Sequence, residues 1–121
     1  MTVLGIDHVQ LAMPPGREDD AREFYGRLLG IPEVPKPSRL VHRGGVWFEA
    51  GQLKVHLGVE SEFRPSRKAH PALLVTEFDA LVAHLRDAGV SIADDDALGG
   101  RRRVYVNDPF GNRLELIEVS S

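Results

Sequence analysis

One pattern met twice limits what this chain can fold into. The first half opens with HVQLAM (8–13) and closes with LKVHLG (53–58), while the second opens with HPALLV (70–75) and closes with NRLELIE (112–118). Each opening is followed by a segment of helical character, FYGRLLGI (24–31) in one half and LVAHLRDAGV (81–90) in the other. Short alternating segments fill the remainder, so both halves read strand, helix, three strands. Two βαβββ modules related by a pseudo-twofold fit this order. The expected class is α+β: paired βαβββ modules forming a concave, partly open mixed sheet, with the helices outside. Residues 1–60 form the first module and 61–121 the second, together one compact domain. A chain of 121 residues suits that plan, because two small halves must share a core to bury enough surface.

The elements follow from local chemistry. In the first strand Val9, Leu11 and Met13 fall on one face, and His8, Gln10 and Ala12 on the other. Pro14, Pro15 and Gly16 stop it, and Asp19 and Asp20 favour a helix N-terminus. Ala21, Phe24, Tyr25 and Leu28 make the apolar stripe of that helix, which Gly30 and Pro32 end. EVPKPSRLV has two prolines and no period, which predicts a short irregular strand or an edge. VWFEA and LKVHLGV are strands joined at Gly51-Gln52, and a charged loop over 60–69 leads to a strand at 70–76. The second helix, 78–88, buries Phe78, Leu81, Val82 and Leu85 and stops at Gly89. SIA then reads as a short strand, DDDALGG as a loop, RRVYVN as a strand and DPFGN as a structural turn before RLELIEV closes the chain.

Composition removes several classes. A net charge of −3 gives no basic footprint for a nucleic-acid backbone. The chain has no cysteine, which excludes disulfides and thiolate metal sites. No apolar run approaches the roughly 18 residues of a spanning helix, and no signal-like segment opens the chain, so no membrane partner is expected and the expected location is the cytoplasm.

Four polar groups stand among apolar strand neighbours: His8, His56, His70 and Glu115. A buried imidazole needs a partner. His8 and His70 open the first strands of their halves, and His56 and Glu115 lie within the last strands. Equivalent positions meet at a pseudo-twofold axis, and parity agrees: His56 shares a face with Lys54, and Glu115 with Arg113. Three histidines and a carboxylate suit one divalent ion, Zn, Ni, Co, Fe or Mn. The competing reading is local. A lone strand histidine is more often a hydrogen-bonded structural residue than a ligand, and Glu115 can pair with Arg113 or another base on a solvated face.

IDHVQLAM, EFYGRLLGI and YVNDPFGNRLELIEV together resemble the vicinal oxygen chelate superfamily, which includes glyoxalase I, bleomycin-resistance proteins, fosfomycin-modifying enzymes and extradiol dioxygenases. The resemblance covers nearly the whole chain. It implies metal ligands at His8, His70 and Glu115. Its fourth position falls on His56, where bacterial glyoxalase I has a glutamate. That departure argues against glyoxalase I activity and makes His56 either an extra ligand or a pocket acid/base. With Glu115, His56 is the expected catalytic residue. The implied function is a metal-dependent enzyme acting on a small oxygen-rich molecule by chelation and electrophilic activation, as a lyase, an isomerase or a dioxygenase. The alternative on the same fold is a protein that sequesters a small molecule or antibiotic without chemistry.

Around that site, Arg64 and Arg67 in the loop between the two halves, and Arg103 in the later strand, are candidate binders of a carboxylate, phosphonate or phosphate. The competing reading is a solvated charge run. Phe63 is a candidate lid residue, Tyr105 offers a hydroxyl, and Trp47 is expected to line the cavity while Phe48 enters the core. Concave sheets leave a surface that a second copy can cover, so a homodimer is expected.

Overall fold

The computed structural model describes residues 2–98 and 100–119, with the backbone alone at 96–98. It contains eight strands: β1 (Val9–Met13), β2 (Glu33–Val34), β3 (Val46–Ala50), β4 (Leu53–Val59), β5 (Ala72–Val75), β6 (Ile92–Leu98), β7 (Arg101–Asn107) and β8 (Arg113–Glu118). The helices are α1 (Glu18–Ala21), which widens into a π-helix over Arg22–Leu28, and α2 (Phe78–Asp87). The chain forms two compact units, Met1–Arg64 and Pro65–Ser121. Each is a βαβββ module with a four-stranded mixed sheet and a helix at its periphery, as the repeated pattern predicts.

The two sheets have the same topology, β1-β4-β3-β2 and β5-β8-β7-β6. In each, the first strand pairs parallel with the last, and the remaining pairs are antiparallel. A parallel pair needs a crossover, and the helix with the two following strands supplies it. In the first unit Val9 pairs with Val55 and Leu11 with Leu57, while Phe48 also faces Val55. These side chains share the sheet face that meets the helix. Phe24, Tyr25, Leu28, Phe48, Val55 and Leu57 are buried, and the Tyr25 and Phe48 rings lie 5.6 Å apart. In the second unit Phe78, Val82, Leu85, Val104, Val106, Leu114 and Leu116 are buried in the corresponding way. Arg102 ties helix to sheet there: it donates to Asp79 on α2 and to Glu118 on β8, and stacks over Phe78.

Two local expectations are corrected. The first helix does not stay α-helical: Leu29 N–H donates to Phe24 O across five residues. The segment 33–43 is the short edge expected: it holds the two-residue edge strand β2 and then a 3₁₀ turn, Ser38–Arg43, because Pro35 and Pro37 have no N–H to give a ladder. The aspartate run is strand rather than loop, since β6 extends to Leu98 with a register shift between Asp95 and Leu98. Aspartate disfavours strands, but β6 is an edge, where charge is tolerated and deters unwanted pairing. The DPFGN segment is the structural turn expected: buried Asp108 accepts from the N–H groups of Phe110 and Asn112 and from the Asn112 side-chain amide. No described helix is long and apolar enough to cross a membrane.

Candidate functional site

The polar face of the first sheet is organised by register. His56 on β4 has Gln10 beside it on β1 and Trp47 beside it on β3. Period-two alternation puts all three on the face opposite the core. The His56 ring lies between the Trp47 ring (centroids 3.9 Å apart, planes 3° apart) and the His8 ring (4.4 Å, 23°). His56 is only 4% exposed, whereas its stacking neighbour His8 is exposed. Its Nε2 lies 2.8 Å from Glu49 Oε2. A carboxylate only accepts, so Nε2 carries the proton and Nδ1 keeps the lone pair in the neutral ring. Glu49 thus orients His56 as a carboxylate orients a general base. His8 Nδ1 lies 2.9 Å from Asp7 Oδ2. That hydrogen bond, with the charge of Lys54, holds the Asp7 carboxyl below its usual range.

The polar face of the second sheet carries Glu115, 5% exposed, at the centre of β8. Ala72 on β5 and Tyr105 on β7 are its register partners. Glu115 Oε1 lies 3.1 Å from His70 Nε2, and Oε2 accepts from Arg103 Nη1 at 3.1 Å. Arg103 also pairs with Asp95 at 3.1 Å. The hydrogen bond that Arg103 donates to Glu115, then the Asp95 charge, pushes the Arg103 guanidinium further above its ordinary value. The other face of the His70 ring system is fixed at Nδ1, which donates to the Lys68 carbonyl at 2.7 Å. A carbonyl cannot donate, so in neutral His70 the free lone pair sits on Nε2, facing a carboxylate oxygen. Two acceptors that close need a cation shared between them, either a proton or a metal ion. Ligands at about 2.0–2.1 Å from one ion stand roughly 2.9–3.4 Å apart. The pair His70–Glu115 therefore fits the edge of a coordination shell, and the Lys68 carbonyl is the outer partner that metal-bound histidines usually have.

The stacked pair fits one ion less well. Imidazole lone pairs lie in the ring plane, so two nearly parallel rings do not aim at a common point. His56 also gives Nε2 to Glu49. Among the described residues no group of three or more His, Asp or Glu side chains gathers as a metal cluster. The structure does pair the predicted ligands two by two, His8 with His56 in one unit and His70 with Glu115 in the other.

The remaining expected residues separate clearly. Trp47 lies on the His56 face, and Phe48 is fully buried on the opposite one. Tyr105 meets the His70 ring edge-on at 5.3 Å, with the Arg113 guanidinium 4.0 Å from its ring. Arg113 does not pair with Glu115; Arg103 takes that place. Arg64 and Arg67 are exposed and Phe63 is half-buried in the loop 60–71. Glu49 and Asp95 were not foreseen. For Glu49 the signal was present: a two-residue turn closing Ala50 on Leu53 fixes Trp47 opposite His56, with Glu49 two residues along on the same face.

With this fold and these polar faces described, comparison with known proteins places the chain. It belongs to the Glyoxalase/Bleomycin resistance protein/Dioxygenase superfamily, whose model matches residues 5–116. It is 46% identical to a glyoxalase family protein from Bacillus anthracis, over 99% of this chain and 98% of that one, with a TM-score of 0.93. A glyoxalase/dioxygenase from Nostoc punctiforme is 23% identical over 100% and 99% of the two chains, with a TM-score of 0.79. A genomically encoded fosfomycin resistance protein from Listeria monocytogenes is 15% identical over 98% and 96%, with a TM-score of 0.78. The last two speak for the fold alone. No curated protein matches.

Proposed function

We propose that this protein is a metal-dependent enzyme acting on a small oxygen-rich molecule, with His8, His70 and Glu115 as ligands to one divalent ion and His56 as the acid/base. The observation that carries the reading is the facing of His70 Nε2 and Glu115 Oε1 at 3.1 Å, with His70 Nδ1 committed to a backbone carbonyl. A bound Zn, Ni, Co, Fe or Mn ion supplies the charge that holds substrate oxygens and stabilises negative charge developing on them. The chain's own residues do the rest. Arg103 and the Lys68 carbonyl hold Glu115 and His70 in place. His56 receives a proton at Nδ1 while Glu49 stabilises the imidazolium that results. Trp47 fixes the plane of the His56 ring. The working form is a homodimer in the cytoplasm.

Elemental analysis after gentle purification tests the reading. About one divalent ion per chain is expected, and Glu115→Ala removes it. A wild-type protein that takes up none of the five ions with micromolar affinity overturns the metal reading. Turnover is then sought on hemithioacetals, catechols, fosfomycin with thiols, and 2-oxoacyl esters, which separates lyase or isomerase chemistry from oxygenation. One observation favours a second reading, a binding protein without chemistry: no three candidate ligands cluster among the described residues. Tight binding that leaves every compound unchanged supports that reading.

A further inference from the structure

Beside His56 the first unit holds a cavity of about 280 Å³, at the small end of the range for ligand sites. Gln10 and Trp47, the two register neighbours of His56, both line it, as does Gly58, two residues further along β4 on the same face. A side chain at Gly58 would press on the Gln10 amide, since an ideal Cβ there falls 2.6 Å from Gln10 Nε2. The bare glycine therefore leaves that amide its place in the wall. Lys36 and Arg43 enter from the segment 34–45 and complete the polar lining. Among the described residues no carboxylate lines the cavity. Glu18, the acid that reaches the Gly44-Gly45 turn, accepts from the Gly45 N–H instead.

The two cations differ in what they have to do. The Lys36 ammonium donates to the Gly44 carbonyl, which uses one of its three N–H groups. No hydrogen bond or ion pair ties the Arg43 guanidinium to another described residue. Arg103, by contrast, is already paired with Glu115 and Asp95. Two positive groups, an amide and an indole around a small acid-free cavity match a compact molecule with an anionic end and a flat or apolar body. The planar fork of arginine suits a carboxylate or phosphonate oxygen pair.

We infer that this cavity is a subsite for a small organic oxyanion, its charge held by Arg43 and Lys36 and its body laid against Trp47. The inference names a substrate class for the site proposed above and rests on that reading only in placing the ligand next to His56. Trp47 is the only tryptophan in the chain, so its fluorescence reads the cavity directly. Metal-stripped protein is titrated with phenylphosphonate, benzoate and neutral benzamide. At least one of the two anions is expected to quench Trp47 saturably, and whichever binds tighter identifies the oxyanion. Benzamide should bind about 10-fold or more weaker, and Arg43→Gln should weaken the anion about 10-fold or more without moving benzamide. Arg43 is exposed at the end of a 3₁₀ turn, so the variant is expected to melt like wild type. Benzamide binding as tightly as the anions, an unchanged affinity in Arg43→Gln, or no quenching by either anion overturns the proposal. Because the titration uses stripped protein, failure of the metal reading leaves its result standing. Metal uptake by Arg43→Gln should stay at the wild-type level.

Discussion

His56→Gln separates the two roles open to that residue. Glutamine keeps an N–H donor for Glu49, so the charge-assisted bond now 2.8 Å long is retained in kind. What is lost is the ring sandwich with Trp47 at 3.9 Å and His8 at 4.4 Å. Two aromatic contacts at ~0.5–1.5 kcal/mol each give a cost of roughly 1–3 kcal/mol. For a chain this size that lowers the melting temperature by about 4–12 °C, read by circular dichroism in chelator. Metal affinity, measured by isothermal titration calorimetry, should stay within about 10-fold of wild type. Glu115→Ala should lose more than the roughly 10–100-fold that removal of a mere outer-shell partner costs. Turnover of His56→Gln on an identified substrate should fall about 10²–10⁴-fold, as for loss of a general base. If His56→Gln instead loads metal as poorly as Glu115→Ala while melting as predicted, His56 is a ligand and the reasoning from its Glu49 bond is refuted.

Other outcomes follow from the same geometry. Asp108→Ala strands three donors in a buried turn and should cost about 3–5 kcal/mol by urea denaturation; a loss under ~1 kcal/mol would show that water replaces the carboxylate. Arg102 hydrogen-bonds to Asp79 and Glu118 and lowers both carboxyls. Their folded values lie below the unfolded ones, so this stability is present above pH ~4 and is lost as pH falls through the folded values. The melting-temperature gap between wild type and Arg102→Ala should therefore shrink on acidification, and a gap constant from pH 6 to below 3 contradicts the pairing. Mixing His8→Ala with Glu115→Ala tests where the site is built. Recovery of about one metal per mixed dimer requires ligands from two copies, and no recovery requires all of them in one chain.

Much of this was legible because strand side chains alternate strictly. Once Val9, Leu11, Val55 and Leu57 are given to the core, His56 has no choice of face, whereas His8 just precedes β1 and is placed by its stacking on His56; the same alternation puts Glu115 opposite Leu114 and Leu116. The repeated pattern carried the topology for the same reason: each half needs a crossover to pair its first strand with its last. Alternation also held information that composition concealed. The run Arg101-Arg102-Arg103 looks like one solvated cluster, yet on β7 its members part. Arg102 turns to α2 and Glu118, and Arg103 to Glu115 and Asp95.

Segments without a period were not legible, and the cavity lies against one of them. Lys36 and Arg43 come from a stretch where prolines break the ladder and a 3₁₀ turn of six residues replaces it. Nothing in such a stretch says which way a side chain points. The widening of α1 is equally silent in the sequence, because a π-turn changes which carbonyl accepts and not which residues are apolar. The cations most conspicuous in the sequence, Arg64 and Arg67, are exposed in a loop, while the two that line the cavity are separated by six residues and share no motif. A ligand's charge partners need only converge in space, so a search of the sequence for clustered cations favours the solvated ones.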